Sequence, residues 1–263
     1  MPRFEKITDR IYRLKVPFES VYTAVFLIKC KSGYMLVDAA ATSEDARLIL
    51  DAIREAQIDA EQISHILVTH AHGDHAGGLC VLRDALPKAL VCAGSHYLRE
   101  RLSLERFALL SDGQEIAEGI VALSLSGHSA DSCGFFDKDS RCLISGDAVQ
   151  LCGIGRYGTG LYSFDAYLAT LKKLAEMSID ILISSHDYYP HGAIAQGGEV
   201  GVYISDSERY ARYIMSEVEQ SVREGICDAQ AITERIREKN RAYDSCFPLL
   251  QVSTVRSYMK TIK

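Results

Sequence analysis

The segment Thr69-His70-Ala71-His72-Gly73-Asp74-His75-Ala76-Gly77-Gly78 concentrates three histidines and a carboxylate within six residues. It closes an apolar run, Ile63 to Thr69, that reads as a buried strand. Imidazoles crowded this closely are costly unless a cation holds them together, and neutral imidazole and carboxylate are ordinary ligands of divalent metals. Side chains two apart in extended chain point the same way, so His70 and His72 can grip one ion. Asp74 and His75 lie past the turn at Gly73 and project elsewhere, which suits a second ion. Gly77 and Gly78 keep the following helical turn slim where it meets the strand.

Three further polar residues also close apolar strands. His128 follows Ile120 to Leu125 in Gly127-His128-Ser129, and Asp147 follows Cys142 to Ser145 in Ser145-Gly146-Asp147. His186 follows Ile181 to Ser184 in Ser184-Ser185-His186-Asp187. Each tripeptide alone is weak. Together they place ligands at one edge of the sheets, where sites on strand-built scaffolds gather. His65 and His96 read as structural. Tyr157, Tyr162 and Tyr188 lie close in sequence to these ligands and could donate a phenol to a developing oxyanion; packing or a place on the rim is the plainer alternative. Arg156, in the glycine-rich stretch Gly153 to Gly160, could pair with a substrate carboxylate or stay solvated. His191 reads as a surface or supporting residue, and Asp187 as either.

Among the elements that support these residues, Ile11 to Val16, Tyr22 to Cys30 and Tyr34 to Val37 read as strands, the last two joined through Lys31-Ser32-Gly33. Thr42 and Asp45 form a capping box before a helical stripe at Ala46, Ile49, Leu50, Ile53 and Ala56. A helix is predicted from Asp74 to Leu86, a strand and helix over Leu90 to Leu102, and a further strand at Gly134 to Asp137. Tyr167, Leu168, Leu171 and Leu174 mark another helix. From Ser205 the character turns helical, with a stripe from Tyr210 to Val222 ending at Gly225 and a second helix capped by Asp228. The expectation is a domain over 1–204 and a helical extension over 205–263 packed on it, of class α/β or α+β. Tyr210 and Tyr213 either pack on that domain or form a homodimer seam.

The chain has 263 residues, 24% of them charged and 48% hydrophobic, enough for a core without disulfides. A net charge of −6 and scattered basic residues argue against a nucleic-acid partner. The segment Met1 to Arg13 lacks the apolar core of a signal peptide, and no stretch is long enough to span a membrane, so a cytoplasmic protein is expected. The eight cysteines show no C-x-x-C spacing and read as small buried hydrophobes, a thiolate ligand being the alternative.

H-x-H-x-D-H, G-H-S, S-G-D and a final S-H, in this order over about residues 5–190, resemble the metallo-β-lactamase superfamily. The resemblance implies a four-layer αββα sandwich and makes Asp38, closing the Met35 to Val37 strand, a structural acid behind the ligands. It implies that His70, His72 and His128 hold one ion, that Asp74, His75 and His186 hold another, and that Asp147 bridges them. The cofactors implied are two divalent ions, zinc first, with Mn2+ or Fe2+ as alternatives. The activity implied is hydrolysis of an ester, thioester or lactone of a small acyl substrate by a metal-bridging hydroxide, with Asp74 orienting the nucleophile and shuttling its proton. Glyoxalase II is not favoured, because residues 205–263 lack a basic cluster for glutathione. The alternatives are a metallo-nuclease or phosphodiesterase, and a persulfide dioxygenase-like enzyme with one iron on His70, His128 and Asp147. A metal-bearing sensor domain is a non-enzymatic third.

Overall fold

The computed structural model describes residues 3–262; Met1, Pro2 and Lys263, which close the expected 1–204 and 205–263 regions, lie outside the described residues. The first sheet opens as an antiparallel meander of β1 (Glu5–Lys6), β2 (Ile11–Phe18), β3 (Val21–Cys30) and β4 (Gly33–Val37). It continues in parallel through β5 (Ile63–Leu67), β6 (Leu90–Ala93) and β7 (Phe107–Leu109), keeping sequence order across all seven strands. The crossovers carry α1 (Ser43–Glu55), α2 (Gly73–Ala76), α3 (Leu79–Ala85) and α4 (Tyr97–Leu102). Thr42 and Asp45 close the capping box of α1 from both sides.

The second sheet has six strands, β8 (Glu115–Ala117), β9 (Ile120–Ser124), β10 (Cys133–Asp137), β11 (Cys142–Gly146), β12 (Ile181–Tyr188) and β13 (Gly192–Gln196). Its one parallel pairing, β11 with β12, is bridged by α5 (Phe164–Ala175). After β13 come α6 (Gly198–Arg223), α7 (Ala229–Tyr243) and α8 (Val252–Met259).

The alternation of side chains along the strands separates three apolar layers. Met35 and Val37 face Phe135, Ile144 and Ile183 between the sheets. Leu36 and Ile66 point the other way, onto Ile49 and Leu82. On the far side Leu143 and Leu182 pack under Leu171, Tyr203 and Ile214. The result is helix, sheet, sheet, helix, the four-layer sandwich that the motifs imply. Ile214, Ile232, Ile236 and Val255, from α6, α7 and α8, share that last cluster with the second sheet.

Two expectations need correction. The helix expected from Asp74 to Leu86 is broken at Gly77 and Gly78, because the 39–42 loop crosses there. A Cβ on Gly77 would sit 1.8 Å from the Ala41 carbonyl oxygen. The longest helix, α6, starts at Gly198, so the 204/205 division falls inside one continuous element. Gly198 and Gly201 dilute the stripe in its first turns, which is why the pattern becomes legible only later.

The C-terminal segment is seated on the loop beside the candidate metal ligands. Leu249 donates its N–H to the Gly155 carbonyl at 2.8 Å. Gly158, at φ +62°, lies so close that a Cβ would be 1.6 Å from the Leu249 carbonyl oxygen. Gly158→Ala therefore combines a left-handed backbone with a clash, and should destabilise the fold by about 3 kcal/mol, read as a lower midpoint in urea unfolding with unchanged slope.

Candidate metal centre

The polar residues at the strand ends meet in one cleft. His70 and His72 lie on the loop after β5, Asp74 and His75 in the single turn of α2, His128 beyond β9 and Asp147 immediately after β11. His186 lies within β12, which runs on to Tyr188 rather than ending at Ser184. Its pairing with β13 slips between Ile183 and Tyr188, and this bulge frees the strand to aim His186 at the others.

The donors fall into two groups, His70 with His72 and His128, and Asp74 with His75, Asp147 and His186; within each, one ligand atom per residue lies within 4.8 Å of the rest. In the first group His70 Nε2 is 3.0 Å from His72 Nδ1 and 3.1 Å from His128 Nε2, and the latter two are 2.8 Å apart. Three tetrahedral zinc–nitrogen bonds place nitrogens about 3.3 Å apart, close to this triangle. In the second group His75 Nε2 and His186 Nε2 each lie 3.4 Å from Asp74 Oδ2 and from Asp147 Oδ2. Asp147 Oδ2 also lies 3.7 Å from His128 Nε2, so this carboxylate faces both groups.

The opposite edges of the rings are anchored. His128 Nδ1 donates to the Gly160 carbonyl at 2.5 Å, and His186 Nδ1 to the Tyr22 carbonyl at 2.6 Å. His75 Nδ1 donates to Asp38 Oδ2 at 2.8 Å. His70 Nδ1 lies 3.1 Å from the Thr69 hydroxyl, which itself donates to Asp38 at 2.8 Å. With these protons committed outward, the inward nitrogens of the neutral rings have lone pairs that converge. His75 Nε2 and Asp147 Oδ1 are buried with no hydrogen-bond partner. Orphaned acceptors, converging lone pairs and two neighbouring carboxylates together fit divalent cations.

Charge preferences differ between the groups. Burial drives His128 down to about 4 and His70 well below the usual histidine range, with neighbouring imidazoles adding to the effect. Burial opposes charge on His186 and His75 too, but Asp147 and its neighbours outweigh it, raising His186 to about 9 and His75 well above the ordinary value. Burial alone would raise Asp74 and Asp147; His75 and His186 instead hold both carboxyls below the usual range. Without metal, protons on the second group's imidazoles supply the positive charge its carboxylates require.

Asp38 is fully buried and holds a left-handed φ of +65°, a conformation that aspartate tolerates better than most residues. Its carboxylate accepts from the Thr69 backbone N–H, the Thr69 hydroxyl and His75. Asp38→Asn would turn two donors against each other at one of these contacts. Metal affinity should fall about 10–100-fold, measured by competition with a chromophoric chelator.

Tyr157 and Tyr188 line the cleft, whereas Arg156 and Tyr162 do not. Arg156 pairs with Glu19, and Tyr162 is 64% exposed where its backbone N–H turns onto the Gly127 carbonyl. Asp187 accepts from the Tyr22 hydroxyl at 2.7 Å, and His191 sits at the surface beside Asp206. None of the eight cysteines belongs to either donor group; Cys92, Cys133 and Cys142 are buried as expected, but Cys227 and Cys246 lie on exposed connections. The sequence reading missed Phe18, Ile154 and Gln150, which also line the cleft. Gln150 Oε1 accepts from the Gly160 N–H at 2.8 Å, and its Nε2 lies 2.7 Å from His128 Nδ1. Its sole sequence signal is a place three residues after Asp147.

Strand-end histidines and carboxylates on two sheets packed between helices define a class of metal-binding sandwich. A profile of the metallo-beta-lactamase superfamily matches residues 20–186, and the chain belongs to that superfamily. A hydroxyacylglutathione hydrolase from Cereibacter sphaeroides is 31% identical over 131 residues, 48% of this chain and 49% of that protein. An atrochrysone carboxyl ACP thioesterase from Pseudocercospora fijiensis is 26% identical over 194 residues, 71% of this chain and 55% of that one. The chain spans about 60% of the length of several curated relatives. Among solved structures, a variant of the flavo di-iron protein from Thermotoga maritima superposes with a TM-score of 0.67 at 16% identity, over 86% of this chain and 70% of that one. That likeness is one of fold.

Proposed function

We propose that this chain is a two-metal hydrolase, zinc being the first candidate ion, that cleaves a thioester, ester or lactone of a small acyl substrate. The observation that carries the reading is the pair of adjoining donor groups with Asp147 facing both. Divalent ions bound there would supply Lewis acidity, acidifying water and polarising an acyl carbonyl.

The residues around them have distinct tasks. Asp74 is the more exposed carboxylate, 20% against 8% for Asp147, so it can accept a hydrogen bond from the attacking water and pass its proton to the leaving group. Tyr188 is buried on the cleft wall, and burial with the Asp147 charge pushes its phenol well above the ordinary range. It therefore stays protonated and can donate to an oxygen that gains charge. Gln150 accepts from the Gly160 N–H and so holds in place the carbonyl to which His128 Nδ1 donates. Phe18 and Ile154 supply an apolar wall, and a cleft of about 240 Å³ suits a small acyl group.

Thioesters are the first class to test, because both curated relatives above are named for acyl-thiol or glutathione conjugates. Glutathione itself is disfavoured: Arg209, Arg212, Arg223, Arg235 and Lys239 on α6 and α7 each pair with an acid. In the one-iron alternative on His70, His128 and Asp147, the gathering of His75, His186 and Asp74 would go unused. A small-molecule substrate is part of this reading.

A substrate panel tests it. Acyl thioesters or lactones should exceed phosphodiesters and β-lactams in kcat/KM by about a hundredfold or more. Turnover confined to phosphodiesters would overturn the acyl assignment.

A further inference from the structure

Gly160 presents the carbonyl that anchors His128, yet glycine is the residue least able to hold its own backbone in one orientation. A side chain there would crowd the ring: a Cβ would lie 3.2 Å from His128 Cε1, so bare backbone lies against the imidazole. The direction of that carbonyl must be set by its neighbours.

Two successive peptide planes meet at Gly160, and each is gripped at both edges. In the first, the Gly160 N–H donates to Gln150 Oε1 at 2.8 Å, and the Thr159 carbonyl accepts from the Thr254 hydroxyl. In the second, the Gly160 carbonyl accepts from His128 Nδ1 at 2.5 Å, and the Leu161 N–H donates to that same hydroxyl at 3.4 Å. A peptide unit is planar, so fixing the Leu161 N–H fixes where the Gly160 carbonyl points. One side chain, Thr254, thus holds both planes.

Thr254 reaches this place from the first turn of α8, 95 residues along the chain from Thr159, and is fully buried. A hydroxyl within a helix commonly bonds back to the carbonyl a turn earlier, as Thr233 does to Ala229 and Ser207 to Tyr203. For Thr254 that carbonyl, on Leu250, is occupied by Arg237 at 2.8 Å, and the hydroxyl turns onto residues 159–161 instead. Its mount is firm. Gln251, the N-cap residue of α8, donates its side-chain amide to the Arg156 carbonyl at 2.6 Å. One turn after Thr254, Tyr258 packs on Phe164 with ring centroids 4.9 Å apart.

We infer, on the metal-centre reading above, that Thr254 is a positioning residue for the first donor group. Through the two peptides of Gly160 it fixes the acceptor of His128 Nδ1, and with it the aim of Nε2 toward His70 and His72. A ligand whose outer partner wanders must be ordered when the ion binds, and holds that ion less tightly. Since His128 belongs to one donor group and not the other, the effect should fall on one ion of the two.

Zinc titration of the metal-free chain in competition with a chromophoric chelator, resolved into two equivalents, tests this. Thr254→Val keeps the volume and removes the hydroxyl; Thr254→Ser keeps the hydroxyl. In the valine variant one equivalent should bind about tenfold more weakly and the other within about twofold of wild type, while serine restores both. Thr254→Ala is read by the same standard if the valine variant fails to fold. Wild-type affinity for both equivalents in a folded variant lacking the hydroxyl would overturn the inference. Equal weakening of both would also overturn it, as the mark of a loosened fold alone, and so would serine behaving like valine. A wild-type chain that takes up no zinc would remove the metal centre itself, and this role of Thr254 with it.

Discussion

Asp147→Asn will lose metal and lower kcat/KM by about a thousandfold or more, with little change in the far-ultraviolet circular dichroism. The argument rests on position. Asp147 is almost fully buried, its Oδ2 lies 3.4 Å from both His75 and His186 and 3.7 Å from His128, and its Oδ1 has no partner. No other carboxylate faces both donor groups among the described residues. Asparagine keeps the volume and removes the charge, so a loss of activity cannot be traced to a cavity. The substitution also removes the leading influence that raises His186 and His75. In the metal-free variant both imidazoles should titrate closer to the ordinary histidine value, a change that NMR can follow. Retention of full activity and metal by folded Asp147→Asn would refute the role given to this residue.

The second large effect is on stability. Chelation should lower the melting temperature by about 10 °C, because metal bound to the folded chain alone stabilises it by mass action. The gap should depend on pH. His186 rises from an ordinary 6.5 to about 9 in the metal-free fold. A raised folded-state value contributes stability that is full below about pH 6.5 and is lost as pH climbs through about 9. The metal-free protein should thus weaken by about 3 kcal/mol across that window. In the loaded protein the metal replaces the proton, and affinity grows as the imidazole is deprotonated. Melting curves from pH 6.5 to 9, with and without chelator, should diverge as pH rises. A constant or narrowing gap would contradict the electrostatics assigned to the second donor group.

The gathering of donor side chains was legible in the sequence because four of the seven are local and the other three close apolar runs. His70 to His75 announce themselves by density, while His128, Asp147 and His186 each close a recognisable apolar run. Strand ends on one edge then meet in space for topological reasons. Gln150 and Phe18 were not legible, since their roles arise from where the 150–160 loop and the β2–β3 turn approach the cleft. The edge strands β1, β7, β8 and β13 were missed because two to five residues carry too little periodicity. A second cavity, between the 189–190 turn, α6 and α7, depends on Tyr189, Tyr210 and Phe247 meeting across long separations in the chain. The tyrosine stripe at Tyr210 and Tyr213 gave one of its walls, without saying what it faced. The broad outlines of the helical extension were visible, but its start was displaced by the glycines of its first turns. No helix among the described residues is long and apolar enough to cross a membrane.

The most direct test of the account is the metal content of the purified chain, measured by inductively coupled plasma mass spectrometry alongside protein concentration. Two zinc-class ions per chain, falling when Asp147 is replaced by asparagine, are the predicted result. A single iron per chain, retained by His70→Ala, would contradict both the two-ion centre and the one-iron alternative built on that histidine. A single iron lost in that variant would move the chemistry to His70, His128 and Asp147 and refute the two-metal hydrolase.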